Sequence, residues 1–102
     1  MARRTDSNQT EIVEALRSVG ASVYVTSHVG KGFPDLVVGF QRVNYLMEIK
    51  DGAKSQSQTK LSKSEQLFHD SWRGKVHVVK SVYDAFMVIR IKSFSRPDFC
   101  TE

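Results

Sequence analysis

The chain has 102 residues, 40% apolar and 25% charged, which is the size and balance of one ordinary globular domain. Fifteen lysines and arginines against 11 acidic residues leave a net charge of +4, which suits a polyanionic partner such as nucleic acid, although basicity also serves solubility alone. The single cysteine, Cys100, excludes an internal disulfide framework and a cysteine-built zinc site, and every apolar run falls short of the roughly 20 residues that cross a bilayer.

The start, Met1-Ala2-Arg3-Arg4, is charged with no apolar stretch behind it, unlike a signal peptide. Together with an unpaired thiol, this leads us to expect a cytoplasmic protein. Residues 1–6 read as a basic arm. Asp6 or Ser7 can cap a first helix whose apolar stripe is Ile12, Val13, Leu16 and Val19, stopped by Gly20. Residues 21–27 (ASVYVTS) are rich in β-branched side chains and predict a strand. Residues 28–33 form a loop with two glycines, and Pro34 biases Phe33 toward extended backbone.

Residues 35–40 (DLVVGF) and 43–50 (VNYLMEIK) predict two strands around Gln41-Arg42. Their near-continuous apolar runs suggest burial on both faces. Residues 51–60 are polar and rich in Ser, Gln and Lys. Ser62 or Ser64 can cap a second helix running through Trp72, packing Leu61, Leu67, Phe68 and Trp72 and ended by Gly74. Residues 76–80 (VHVVK) predict a short strand. Tyr83, Phe86, Met87 and Ile91 fall at helical spacings on a third helix, and residues 93–102 read as a tail. The order α-β-β-β-α-β-α predicts a single α/β domain, with a core over about residues 7–91 and helices flanking a central mixed sheet.

The chemistry concentrates at Asp35 and at Glu48-Ile49-Lys50. Glu48 and Lys50 stand two apart on one strand and share a face, while Ile49 points the other way. If Gln41-Arg42 is a two-residue turn, Phe40 pairs with Val43, and counting back sets Asp35 directly opposite Glu48. Gln-Arg is not a favoured pair for such a turn, and a longer turn would shift the register. Opposed like charges destabilise a hairpin. A divalent cation offsets that cost, and two carboxylates with waters and substrate oxygens make the oxygen-rich shell that Mg²⁺ accepts. The Ile49 backbone carbonyl lies near enough to be a further ligand. A metal there would polarise a phosphoryl oxygen and lower the pKa of a bound water, and Lys50 would steady the charge that grows in the transition state. The implied reaction is metal-assisted hydrolysis of a phosphodiester.

Gly32-Phe33-Pro34-Asp35-Leu36 followed by Glu48-Ile49-Lys50 resembles the PD-(D/E)XK nuclease superfamily, and within it the small stand-alone VRR-NUC nucleases of phages and bacteria. The resemblance extends over about residues 11–91. Leu61-Ser62 opening a helix with Glu65 and Phe68 is similar to a further segment of that family, except that Glu65 stands where the family usually has Gln. The resemblance implies a restriction-endonuclease-like core, Mg²⁺ or Mn²⁺ dependence, DNA substrates, a homodimer and no organic cofactor. It also implies that an acidic residue of the first helix joins the metal. Glu11 and Glu14 are the candidates, with Glu11 preferred because it borders the Ile12 and Leu16 side.

Around this centre, Lys31, Gly32, Lys54, Lys60 and Lys63 are candidate DNA contacts, although exposed lysines are more often simply solvated. Gly30 and Gly32 either admit a DNA backbone or meet the needs of the loop. His28 is placed to meet phosphate. His69 and His77 lack metal-ligand spacing and read as structural. Phe68, Trp72 and Phe86 fall on apolar faces and read as core. The expectation is therefore a metal-dependent DNA endonuclease, with branched or Holliday-type DNA preferred by resemblance. The rivals are a site-specific homing or restriction-like enzyme, a non-catalytic DNA-binding module of the same fold, and a structural protein whose basicity carries no meaning.

Overall fold

The computed structural model describes residues 8–53 and 60–94, the last four as backbone only. Among the described residues, three helices and four strands follow the expected order: α1 (Gln9–Ser18), β1 (Ser22–Val25), β2 (Leu36–Phe40), β3 (Val43–Ile49), α2 (Lys63–Ser71), β4 (Val76–Val79) and α3 (Val82–Phe94). The strands form one mixed sheet in the order β1-β2-β3-β4. The first three are antiparallel to their neighbours, and β4 runs parallel to β3, the chain crossing over through α2. No helix among the described residues is long and apolar enough to cross a membrane.

The core lies on one face of the sheet. Leu36 and Val38 of β2, Tyr45, Met47 and Ile49 of β3, Val23 and Val79 alternate onto that face and meet Ile12, Val13 and Leu16 of α1 and Ala85 and Ile89 of α3. A fully buried side chain such as Leu16 contributes about 1.5–3 kcal/mol, against about 1 kcal/mol net for a typical hydrogen bond. Apolar packing therefore does most to hold α1 on the sheet. The Asn8 amide adds direction: it donates to the carbonyls of Lys50 (3.2 Å) and Lys80 (3.0 Å), fixing the start of α1 at the carboxyl ends of β3 and β4. The other end of α1 closes as the sequence predicts. Gly20, at φ +96°, donates to the Arg17 carbonyl and Ala21 to that of Leu16, satisfying two of the carbonyls left open at the helix end.

Several expectations are corrected. Asp6 and Ser7 lie outside the described residues, and Asn8 at the N-cap makes no capping bond with its side chain. Val19 is exposed. On α3 the inward stripe is Val82, Ala85, Phe86 and Ile89, whereas Tyr83 is exposed; spacing alone does not say which side of a helix meets the sheet. The second sheet face is only partly covered. Tyr24 is 77% exposed there, because α2 meets that face at one end and carries no fully buried residue.

Candidate functional site

The turn between β2 and β3 sets the geometry of the site. Gln41 (φ +52°) and Arg42 (φ +69°) both adopt left-handed backbone, so the hairpin closes in two residues despite their side chains. Phe40 pairs with Val43, and the ladder runs back to Leu36 opposite Met47. Asp35 immediately precedes β2 and Glu48 follows Met47 on β3, which brings the two carboxyls close enough for the Asp35 charge to act on Glu48.

Asp35 is tied down from two sides. Its Oδ2 accepts the Ile49 N–H at 2.8 Å, and its Oδ1 accepts the Ser27 hydroxyl at 3.2 Å. The buried Ser27 hydroxyl also lies 3.4 Å from Oε1 of Gln9, itself buried at the start of α1. Gln9 and Ser27 escaped sequence reasoning, yet a signal for Gln9 exists: positions 9, 12, 13 and 16 form one helical stripe. Glu11 and Glu14, the acids proposed from this helix, lie off that buried stripe. Glu11 sits two positions beyond Gln9, about 160° around the helix at 3.6 residues per turn, and both glutamates are exposed.

Glu48 is 2% exposed, and its Oε1 has no hydrogen-bond partner. Burial is the main cause that pushes its carboxyl up to about 10, followed by the Asp35 charge and then by the Glu65 and Asp35 carboxyls nearby. Its Oε2 lies 3.9 Å from the Lys50 ammonium. Lys50 itself donates to Glu65 Oε1 at 2.9 Å. Glu65 reaches this point because α2 opens with a capping box. The Ser62 hydroxyl accepts the Glu65 N–H at 3.2 Å, and Glu65 Oε1 accepts the Ser62 N–H at 2.8 Å. Burial alone would raise the Glu65 carboxyl. The Ser62 N–H, the Lys50 ammonium and the Glu48 carboxyl outweigh it and hold Glu65 below its usual value.

The loop before Asp35 is built to let α2 come close. Gly30, Lys31 and Gly32 have φ of +85°, +58° and +80°. A Cβ on Gly32 would run into the Ser64 carbonyl oxygen, so the missing side chain admits the α2 backbone, not a DNA backbone. Phe33 meets Phe68 edge to face, with ring centroids 5.4 Å apart. Lys31, Lys60, Lys63 and His28 are exposed around this rim, and Lys54 lies outside the described residues. Phe68 and Trp72 are not the core residues their spacing suggests. Phe68 is half-buried, and Trp72 is 44% exposed.

The structure thus brings together Asp35, Glu48, Lys50 and Glu65: three carboxyl groups and one ammonium, with one buried oxygen left unpartnered. Asp35 and Glu48 are oxygen donors of the kind that a divalent cation accepts. Among the described residues there is no group of three His, Cys, Asp or Glu placed to hold a metal ion on protein side chains alone. No family model, curated protein or solved structure matches this chain.

Proposed function

We propose that this chain is a Mg²⁺- or Mn²⁺-dependent DNA endonuclease with a restriction-endonuclease-like core, working on branched or Holliday-type DNA as a homodimer. The observation that carries this reading is Glu48. A carboxyl almost wholly buried beside the Asp35 and Glu65 carboxyls, and held protonated by burial and by those acids, stands where a divalent cation could take the place of the proton. Asp35 and Glu48 would hold the metal, with the Ile49 carbonyl beside them. The bound metal would polarise a phosphoryl oxygen and lower the pKa of a water. Ser27 and the Ile49 N–H keep the Asp35 carboxylate aimed. Lys50, steered by Glu65, presents its ammonium to the phosphate as negative charge grows on it. Water adds to phosphorus, the bond from phosphorus to one ester oxygen breaks, and that oxygen leaves as a hydroxyl. Two protomers are needed to cut two strands together, most simply in a C₂ dimer.

One observation favours a second reading, a DNA-binding module without catalysis. Lys50 is already engaged by Glu65 at 2.9 Å, as in a structural ion pair. Incubating purified protein with four-way junctions, flaps, splayed arms and linear duplex, in Mg²⁺ or EDTA, separates the two. Metal-dependent cutting that is lost in Lys50→Ala supports the enzyme. Binding without cutting under Mg²⁺ and Mn²⁺ supports the module.

A further inference from the structure

One feature of α2 is left unused by the chemistry at Lys50. Phe68 and Trp72 stack one turn apart, with ring centroids 5.0 Å apart and planes 20° apart, and Phe33 closes the far edge of Phe68. This row of three rings starts at the loop that carries Asp35. Beyond Trp72 the Gly74 backbone comes close to the pyrrole side of the indole, where a Cβ would lie 2.9 Å from Nε1, and the rest of the indole is left to solvent. With one face of its indole against Phe68, Trp72 is still 44% exposed, and Leu67 on the same helix is 62% exposed. A helix with no fully buried residue gains little from such side chains by folding alone.

The charge around the row selects its partner. Lys31 stands two residues before Phe33, Lys60 and Lys63 flank the start of α2, and Arg73 and Lys75 follow Trp72 directly; all five are exposed. Of the two acids in this stretch, Glu65 is paired with a cation and Asp70 keeps its charge, so the five cations outnumber one remaining carboxylate. Glu65 accepts from Lys50 and Ser62, and Asp70 accepts from Gln66 at 2.9 Å. A flat aromatic surface fringed by cations matches a nucleotide whose base is free to stack and whose phosphates are negative. Paired bases inside a duplex offer no free face. From Glu65 to Trp72 the helix rises about 10 Å, roughly the length of three stacked nucleotides, so one strand can reach both the rings and Lys50.

We infer that the Phe33–Phe68–Trp72 row is a docking platform for an unstacked nucleobase of the DNA substrate. The inference rests on the DNA-directed reading above but not on cleavage, and it gives that reading a physical basis for choosing branched or distorted DNA over plain duplex.

Trp72 is the only tryptophan of the chain, so its emission reports on the platform directly. The wild-type protein is titrated in EDTA and low salt with a duplex carrying one extrahelical 2-aminopurine, and with the same duplex fully paired. Quenching of both Trp72 and 2-aminopurine by the bulged duplex alone is expected. Trp72→Ala, checked for folding by circular dichroism, is expected to weaken bulged-duplex binding by about 5- to 100-fold and paired-duplex binding by less than about twofold. Four results would overturn the inference: Trp72 emission unmoved at saturation, equal quenching by both duplexes, no binding of either, or burial of Trp72 by self-association without DNA. Because no metal is present, failure to cut DNA leaves this test untouched. Normal cutting with a silent Trp72 would remove the platform and leave the nuclease standing.

Discussion

The Asp35 carboxylate accepts the backbone N–H of Ile49 at 2.8 Å, so the residue opposite Glu48 is bonded to the strand that carries Glu48. Asp35 is therefore a structural group as well as a charge. Asp35→Asn retains an oxygen acceptor for Ile49 and is expected to stay within about 1 kcal/mol of the wild type in urea unfolding. Asp35→Ala leaves the Ile49 N–H without its partner and is expected to cost about 1–3 kcal/mol. If the chain cuts DNA as proposed, both variants are expected to lose that activity. Equal stability of the two would show that the Ile49 bond carries no weight.

Glu48 makes stability depend on pH with a definite sign. Its folded carboxyl is raised from 4.5 to about 10, so the folded protein holds that proton more tightly than the unfolded chain. Its contribution is complete below pH 4.5 and is lost as pH rises toward about 10, at a slope of at most about 1.4 kcal/mol per pH unit. Glu65 is lowered, so its contribution is present above the ordinary value of 4.5 and is lost as pH falls through the folded value, on the acid side of the Glu48 window. Metal-free protein is thus expected to weaken in urea from pH 5 to pH 9, and Glu48→Gln to flatten that slope. A slope unchanged by Glu48→Gln would contradict the assignment.

The Gln41-Arg42 turn holds two non-glycine residues at positive φ, each at a cost of about 1–2 kcal/mol. Replacing the pair with Asn-Gly, which favours this turn, is expected to stabilise the fold by about 1–2 kcal/mol and raise Tm by roughly 4–8 °C per kcal/mol. The register, and hence the site, is unchanged. A lower Tm would mean that these two side chains make contacts that matter more than the backbone strain.

Gly32 is where the loop and α2 meet. Gly32→Ala places a methyl group against the Ser64 carbonyl at φ +80° and is expected to cost about 2–4 kcal/mol. Because Ser64 adjoins Glu65, the same change is expected to loosen the Lys50–Glu65 pair, read as faster amide exchange over α2. Wild-type exchange rates there would show that α2 is anchored independently of the loop.

What could be read from the sequence follows from how local each signal is. The Gly20 stop, the serine cap of α2 (Ser62 of the two candidates) and the two-residue hairpin depend on neighbours within a few positions, and the structure has all three. Once the hairpin register was fixed, the meeting of Asp35 and Glu48 followed by counting. The errors fall where a helix must choose a side. Apolar spacing proposed Tyr83, Leu67 and Trp72 as inward, but a four-stranded sheet covered by α1 and α3 on one face leaves α2 over only the end of the other. Gln9, which lies on the buried stripe and reaches Ser27, is not singled out because it is not an acid of the expected type.

The proposed chemistry requires the buried Glu48 carboxyl to exchange its proton for a cation. Titrating metal-free protein with Mn²⁺ and counting bound ion by electron paramagnetic resonance, for wild type and Glu48→Gln side by side, tests this directly. Saturable binding by the wild type in the micromolar to millimolar range is expected, absent or at least about tenfold weaker in a folded Glu48→Gln. Equal binding by both proteins, or none by the wild type, would contradict that chemistry.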